Sequence, residues 1–163
     1  MRRIVFALLL PLLAGCWESE ADLFAGETPV TPFKPGPVTV TNADGEVTHQ
    51  RLSLDGTTYQ LSSSGEKTVM ALRFYPLADA PGFLAVDAVT LGEGGKSPHS
   101  YAVVHPLADG RVEEMAQDCE GDRAEKIGAK KEGFVCTFTD RATLEKALRT
   151  LTTEKPTAIV TPG

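Results

Sequence analysis

Cysteine is scarce in this chain, with only Cys16, Cys119 and Cys136 among 163 residues. No CxxC pair occurs and no nearby histidine completes a ligand set, which argues against the usual closed zinc sites. Basic side chains are also outnumbered, 16 Lys and Arg against 22 Asp and Glu, for a net charge of -6. An acidic chain does not suit nucleic acid, whose phosphates demand a basic surface, nor anionic lipid headgroups held by charge. Long apolar runs are limited to residues 4–14, interrupted only by Pro11. At about 1.5 Å per residue that run spans roughly 16 Å, too short for a hydrocarbon core of about 30 Å.

Complete catalytic and cofactor motifs are missing too. The stretch "GEGGKS" at 92–97 ends like a phosphate loop, but position 90 is Thr90 instead of glycine, and Pro98 stands where the helix should run. It reads as a glycine-rich loop. Ser64 and Lys67 have SxxK spacing, yet neither SDN nor KTG follows, so "SGEK" reads as a turn. No GxSxG elbow is present for a serine nucleophile. His99 and His105 would share a strand face about 20 Å apart at roughly 3.3 Å per residue, too far to hold one ion. His49 falls in another strand, and all three are expected at surface or edge positions. Glu113, Glu114 and the acidic residues 118–122 lack a DxDxDG pattern and run into Lys126, Lys130 and Lys131, so a solvated loop is expected. No cofactor, no metal and no catalytic residue is expected.

What is present begins at the amino terminus. A basic start at Arg2 and Arg3, a short apolar middle and small residues before a cleavage point describe an export signal over 1–15. Leu13-Ala14-Gly15-Cys16 resembles the lipobox of bacterial lipoproteins at all four positions. The resemblance covers about the first 16 residues. It implies that the signal is cut before Cys16 and that Cys16 is lipidated, anchoring the protein to a membrane; several acyl chains on one residue hold essentially permanently. Trp17, standing where aspartate would signal inner-membrane retention, implies the outer membrane of a bacterial envelope, facing the periplasm. In an oxidising compartment Cys119 and Cys136 form an even pair, and a disulfide between them is expected.

The mature chain is long enough for one domain. Residues 16–37, with prolines at 29, 32, 35 and 37, read as the lipidated cysteine and an extended tether. Residues 38–153 then carry short β-type runs punctuated by Asp44-Gly45 and Asp55-Gly56, which supply the positive φ of tight hairpins. The expected fold is mainly β: an antiparallel meander, as a sheet or partly closed barrel, with one C-terminal amphipathic helix. "PLAD" occurs at 76–79 and again at 106–109, each copy before a glycine turn, and reads as two strand-ending turns. If Met70, Leu72 and Phe74 face the core, pairing with Leu84, Val86 and Ala88 sets Arg73 opposite Asp87 as a structural ion pair; the slipped register would put Asp87 in the core. "TDRATLEKALRTL" places Leu144, Leu148 and Leu151 on one helical face, with Thr139 or Asp140 as cap and Glu145 four residues before Arg149. Residues 154–163 read as a flexible tail.

These features point first to a lipid-anchored envelope protein with a noncatalytic interaction or binding role, displayed to an envelope protein partner. A second expectation comes from "SSSGEK", similar over about six residues to the Ser-Gly loop of membrane-bound lysozyme inhibitors, which are small β lipoproteins without this terminal helix. A third is a carrier of a small apolar ligand, with a pocket lined by positions such as Tyr59, Met70 and Phe74.

Overall fold

A computed structural model describes residues 17–64, 68–92 and 95–163. The signal and lipobox residues, Cys16 included, lie outside the described residues, as do Gly65, Glu66 and Lys67 of "SGEK" and Glu93 and Gly94 of "GEGGKS".

The described residues form one twelve-stranded antiparallel-rich sheet whose central part closes on itself. Its strands are β1 Trp17–Ser19, β2 Gly36–Asn42, β3 Val47–Asp55, β4 Thr58–Ser63, β5 Val69–Pro76, β6 Leu84–Gly92, β7 Gly95–Lys96, β8 His99–Pro106, β9 Val112–Met115, β10 Lys130–Glu132, β11 Val135–Thr137 and β12 Ala158–Pro162. Two helices interrupt them, α1 Arg123–Ile127 and α2 Arg141–Leu151. Strands β2, β3, β4, β5, β6, β8, β9 and β12 pair in that order, and β12 pairs back onto β2, which closes an eight-stranded barrel. The fold is thus mainly β with a C-terminal helix, as the turn chemistry and strand patterns foretell.

Local chemistry explains the ladders. Asp44-Gly45 and Asp55-Gly56 turn the chain at β2–β3 and β3–β4, with Gly45 at φ 82° and Gly56 at φ 59°. Both PLAD copies end strands: β5 stops at Pro76 and β8 at Pro106, where Leu77 and Leu107 start the next turns by donating to Phe83 O and Arg111 O. Arg73 stands opposite Asp87, with Leu72 beside Ala88 and Phe74 beside Val86. In the "GEGGKS" segment Gly95 and Lys96 pair with Gly92 and Leu91, a strand extension in place of a phosphate-binding helix start.

Two cores lie back to back across the barrel wall. Inward side chains such as Val40, Leu61, Leu72, Val86 and Val104 form the first. On the outward face of β6 and β8, Ala85, Tyr101 and Val103 meet Trp17, Phe24, Phe138 and the apolar stripe of α2. Asp140 caps α2, its carboxylate accepting from Thr143 N at 2.8 Å, and Leu144, Leu148 and Leu151 are fully buried. The helical pair differs from expectation: Glu145 accepts from Arg141 at 2.7 Å, and Arg141 also reaches Glu27 and lies over the Phe24 ring.

Two expected boundaries are corrected by this packing. Residues 17–37 are not a free tether. Trp17 is fully buried in β1, between β8 and β11; Phe24 stacks on Tyr75 at 4.5 Å; and Val30 bridges to Phe74. The two aromatic rings bury large apolar areas, which outweighs the extended preference of the proline-rich composition. Nor are residues 154–163 a loose tail: "AIVTP" forms β12, the closing strand. A strand this short gives little sequence signal, yet between two partners it gains ladder bonds on both sides. Both core clusters of the described residues are drawn from 17–163, so that piece carries the barrel and its outer layer together.

The excursion between β9 and β11 is likewise structured, with α1 and β10 folded under the Cys119–Cys136 disulfide, whose Cα atoms are 5.4 Å apart. The open wall, β2 to β4, carries Thr39, Thr41, Arg51 and Ser53 on its outer face, while Val38, Val40, Leu52 and Leu61 are buried on its inner face beside Thr48 and Gln50. That polarity is the reverse of a membrane-spanning barrel.

Replacing both Cys119 and Cys136 by alanine should lower stability by about 3 kcal/mol, read from denaturant midpoints with and without reductant. Deleting residues 158–163 should abolish cooperative unfolding and the near-UV circular dichroism signal, because β2 and β9 each lose a ladder partner.

Candidate functional site

Two places on this scaffold bring chemical groups together, one on each side of the barrel wall. The outer one is centred on Asp87. Its register position faces outward, yet the N-terminal segment covers it, and its side chain is fully enclosed. His99 Nδ1 donates to Asp87 Oδ1 at 2.7 Å, and Arg73 donates to Asp87 Oδ2 and, at 2.8 Å, to Asp22 Oδ2. The expected Arg73–Asp87 pair is present, and the structure adds Asp22 and His99 to it. Burial alone would raise the Asp22 carboxyl, but its hydrogen bonds to Arg73 and to Phe24 N–H, with the Arg73 charge, hold it below the ordinary carboxylate value. Arg73 is held further above its usual range by the two carboxylates.

Asp22, Asp87 and His99 place ligand atoms within 4.8 Å of one another, a spacing that a metal ion could use. The Arg73 guanidinium already supplies positive charge to both carboxylates there. Ser19 stands opposite His99 in the β1–β8 ladder, so a Ser, a His and an Asp are neighbours. Ser19 Oγ, however, is turned to Ala21 O at 2.5 Å and to the Tyr101 hydroxyl at 2.7 Å. Burial pushes that Tyr101 hydroxyl up to about 12. Ser19, Asp87 and His99 are each at most 3% exposed. This cluster joins segments of the fold, and His99 is a buried structural partner, not the surface residue its sequence context suggests. His49 and His105 do sit at the periphery, against Thr39 and Glu113 respectively.

The inner place is a cavity of about 420 Å³ inside the barrel. Such a volume falls in the range of small-molecule sites, roughly 300 to 1,000 Å³. Met70 and Phe74 line it, as expected, together with Leu61, Leu72, Val86 and Val104. Tyr59 does not line it. Its ring packs edge-on to Phe74, and its hydroxyl accepts from Phe33 N–H at 2.9 Å and donates to Phe33 O at 2.7 Å. That clamp holds Pro32, Phe33 and Lys34 across one end of the cavity, beside Leu107, Gly110 and Arg111 of the β8–β9 turn.

One acidic side chain borders this apolar space. Glu114 is 4% exposed on β9, and its Oε1 is buried with no hydrogen-bond partner. Burial drives its carboxyl well above the ordinary value, because the charged form is the one that desolvation disfavours. On β3, Thr48 Oγ1 and Gln50 Oε1 are also buried without partners, but neither residue lines the cavity.

The acidic run around it suggests a solvated position for Glu114, and its burial corrects that expectation. A signal is nonetheless available in "RVEEM". Val112 and Met115 have opposite parity on a strand, so with apolar layers on both faces one of the two glutamates must point inward with Val112. Compared with known proteins, the chain matches no family model, no curated protein and no solved structure.

Glu114 also generates a stability prediction. The folded state keeps a proton that the unfolded chain releases near pH 4.5. Stability should therefore fall as pH rises above about 4.5, toward the raised folded-state value, by at most about 1.4 kcal/mol per pH unit from this group. In Glu114→Gln that component should be absent. Denaturant unfolding of both proteins at intervals from about pH 5 to about pH 8 measures the difference, which should favour the variant increasingly at the alkaline end.

Proposed function

We propose that this protein is a noncatalytic, lipid-anchored component of the bacterial cell envelope whose barrel binds a small, largely apolar ligand. The cavity is the observation that carries the reading. Protein interiors contain few voids larger than a water molecule, and an eight-stranded barrel can be filled by its own side chains. Here the inner face is left hollow over about 420 Å³ and lined mainly by aliphatic groups. At the roughly 30 Å³ that a water molecule takes in the liquid, that is room for about 14 non-hydrogen atoms.

The anchor rests on the Leu13-Ala14-Gly15-Cys16 resemblance. An interaction module and a lysozyme inhibitor draw nothing comparable from the geometry. The Ser-Gly loop behind the inhibitor reading includes residues outside those described.

A direct test uses residues 17–163 purified without detergent and titrated with an environment-sensitive apolar dye. Saturable uptake of one dye per barrel is expected, and Val104→Phe, which fills the cavity, should weaken it at least about tenfold while near-UV circular dichroism shows a folded barrel. Absence of saturable uptake by the unaltered protein would sink the proposal.

A further inference from the structure

Glu114 is the one feature of the cavity that packing does not explain. Its strand neighbour on the inner face is Val112, and the residues beside it across the ladders are Val104 and Ala158. Its carbonyl is engaged, accepting from Thr157 N at 2.7 Å and from Thr157 Oγ1 at 3.1 Å. The side chain has no such engagement, and Oε1 is sealed from solvent without a partner. An unpartnered polar group in an apolar space destabilises a fold, and a leucine or methionine would fill this position without that cost. A carboxyl kept there has its use outside the fold, in something that enters the cavity.

We infer that Glu114 makes the barrel selective for neutral amphiphiles, molecules with an apolar body of about a dozen non-hydrogen atoms that bring one uncharged hydroxyl or carbonyl group to its carboxyl. This rests on the ligand-binding reading above. The choice of an uncharged group follows from the surroundings. The other charged side chains bordering the cavity are Lys34 and Arg111, both exposed at the rim beside the Tyr59 clamp, and Arg111 is paired with Asp109 at 2.8 Å. A cationic ligand would pass that positive rim and then have to ionise Glu114 inside an apolar space, where the desolvation of two charges offsets most of their attraction. An anionic head carried inward would meet the carboxyl with no cation beside it. A hydroxyl or carbonyl needs neither: a protonated carboxyl donates its O–H and accepts through its C=O, so both partners are satisfied without a buried charge.

The test compares four eight-carbon probes, octanol, chlorooctane, octylammonium and octanoate, by displacement of the apolar dye from residues 17–163. Octanol should bind about tenfold tighter than the other three. In Glu114→Leu the octanol advantage over chlorooctane should vanish, and in Glu114→Gln, which keeps a donor and an acceptor, most of it should remain. Tightest binding by octylammonium, rising with pH, or by octanoate would overturn the inference in favour of a charged ligand. Equal octanol and chlorooctane affinities, unchanged by Glu114→Leu, would overturn it while leaving the apolar-carrier reading intact. Failure of the dye and all four probes to bind would overturn both.

Discussion

The ladder between β12 and β2, running from Ala158 beside Asn42 to Pro162 beside Val38, is the constraint on which the rest depends. It converts a curved sheet into a closed surface, and closure removes the unpaired edges that an open sheet presents. It also makes the inner face an interior. Without it the aliphatic wall would be a groove, and water would reach the Glu114 carboxyl that the closed barrel shields. The cavity and its single acidic group are consequences of one short strand being in place.

The outer layer depends on a second buried carboxylate. Strand β6 is covered on both faces, and Asp87 sits in its middle with donors from β5 and β8 on its two oxygens. Breaking such a group by removing one donor leaves a buried charge uncompensated, which costs far more than an exposed pair is worth. Through Arg73 the same centre reaches Asp22, so the N-terminal segment is fastened electrostatically as well as by Trp17 and Phe24. The barrel therefore carries two carboxyl centres of opposite design. One has its charge matched by donors from the two strands beside it; in the other, burial opposes ionisation.

Much of this architecture is legible in the amino-acid sequence. The Asp-Gly turns, the strand-ending PLAD copies, the capped helix with its leucine face, the disulfide and the Arg73–Asp87 register all follow from local patterns, because each is decided by residues a few positions apart or by one costly alternative. The register shows how far such patterns reach: Asp87 avoids the inner core and is buried all the same, under a layer that alternation in β5 and β6 does not reveal. What stays hidden is long-range. Nothing in "AIVTP" says that it meets "VTVT" on the far side of the chain, and a proline-rich segment signals extension without saying what it lies against. Glu114 is half visible, since parity in "RVEEM" requires one inward glutamate, but which face holds a void is a property of the closed barrel alone.

The order of strands along the chain has a kinetic consequence. Most ladders here join neighbours in sequence and can form as hairpins as soon as both strands exist, while the β2–β12 seam joins two of the most distant segments of the fold. Contacts of that separation are slow to form because the loop they close is long. During the wait β2 offers an open edge on one side and the aliphatic inner wall is wet, the state most prone to pair with another chain. A mutation that delays the docking of residues 158–162 should therefore reveal itself in the yield of soluble protein before it shows in the stability of the molecules that do close.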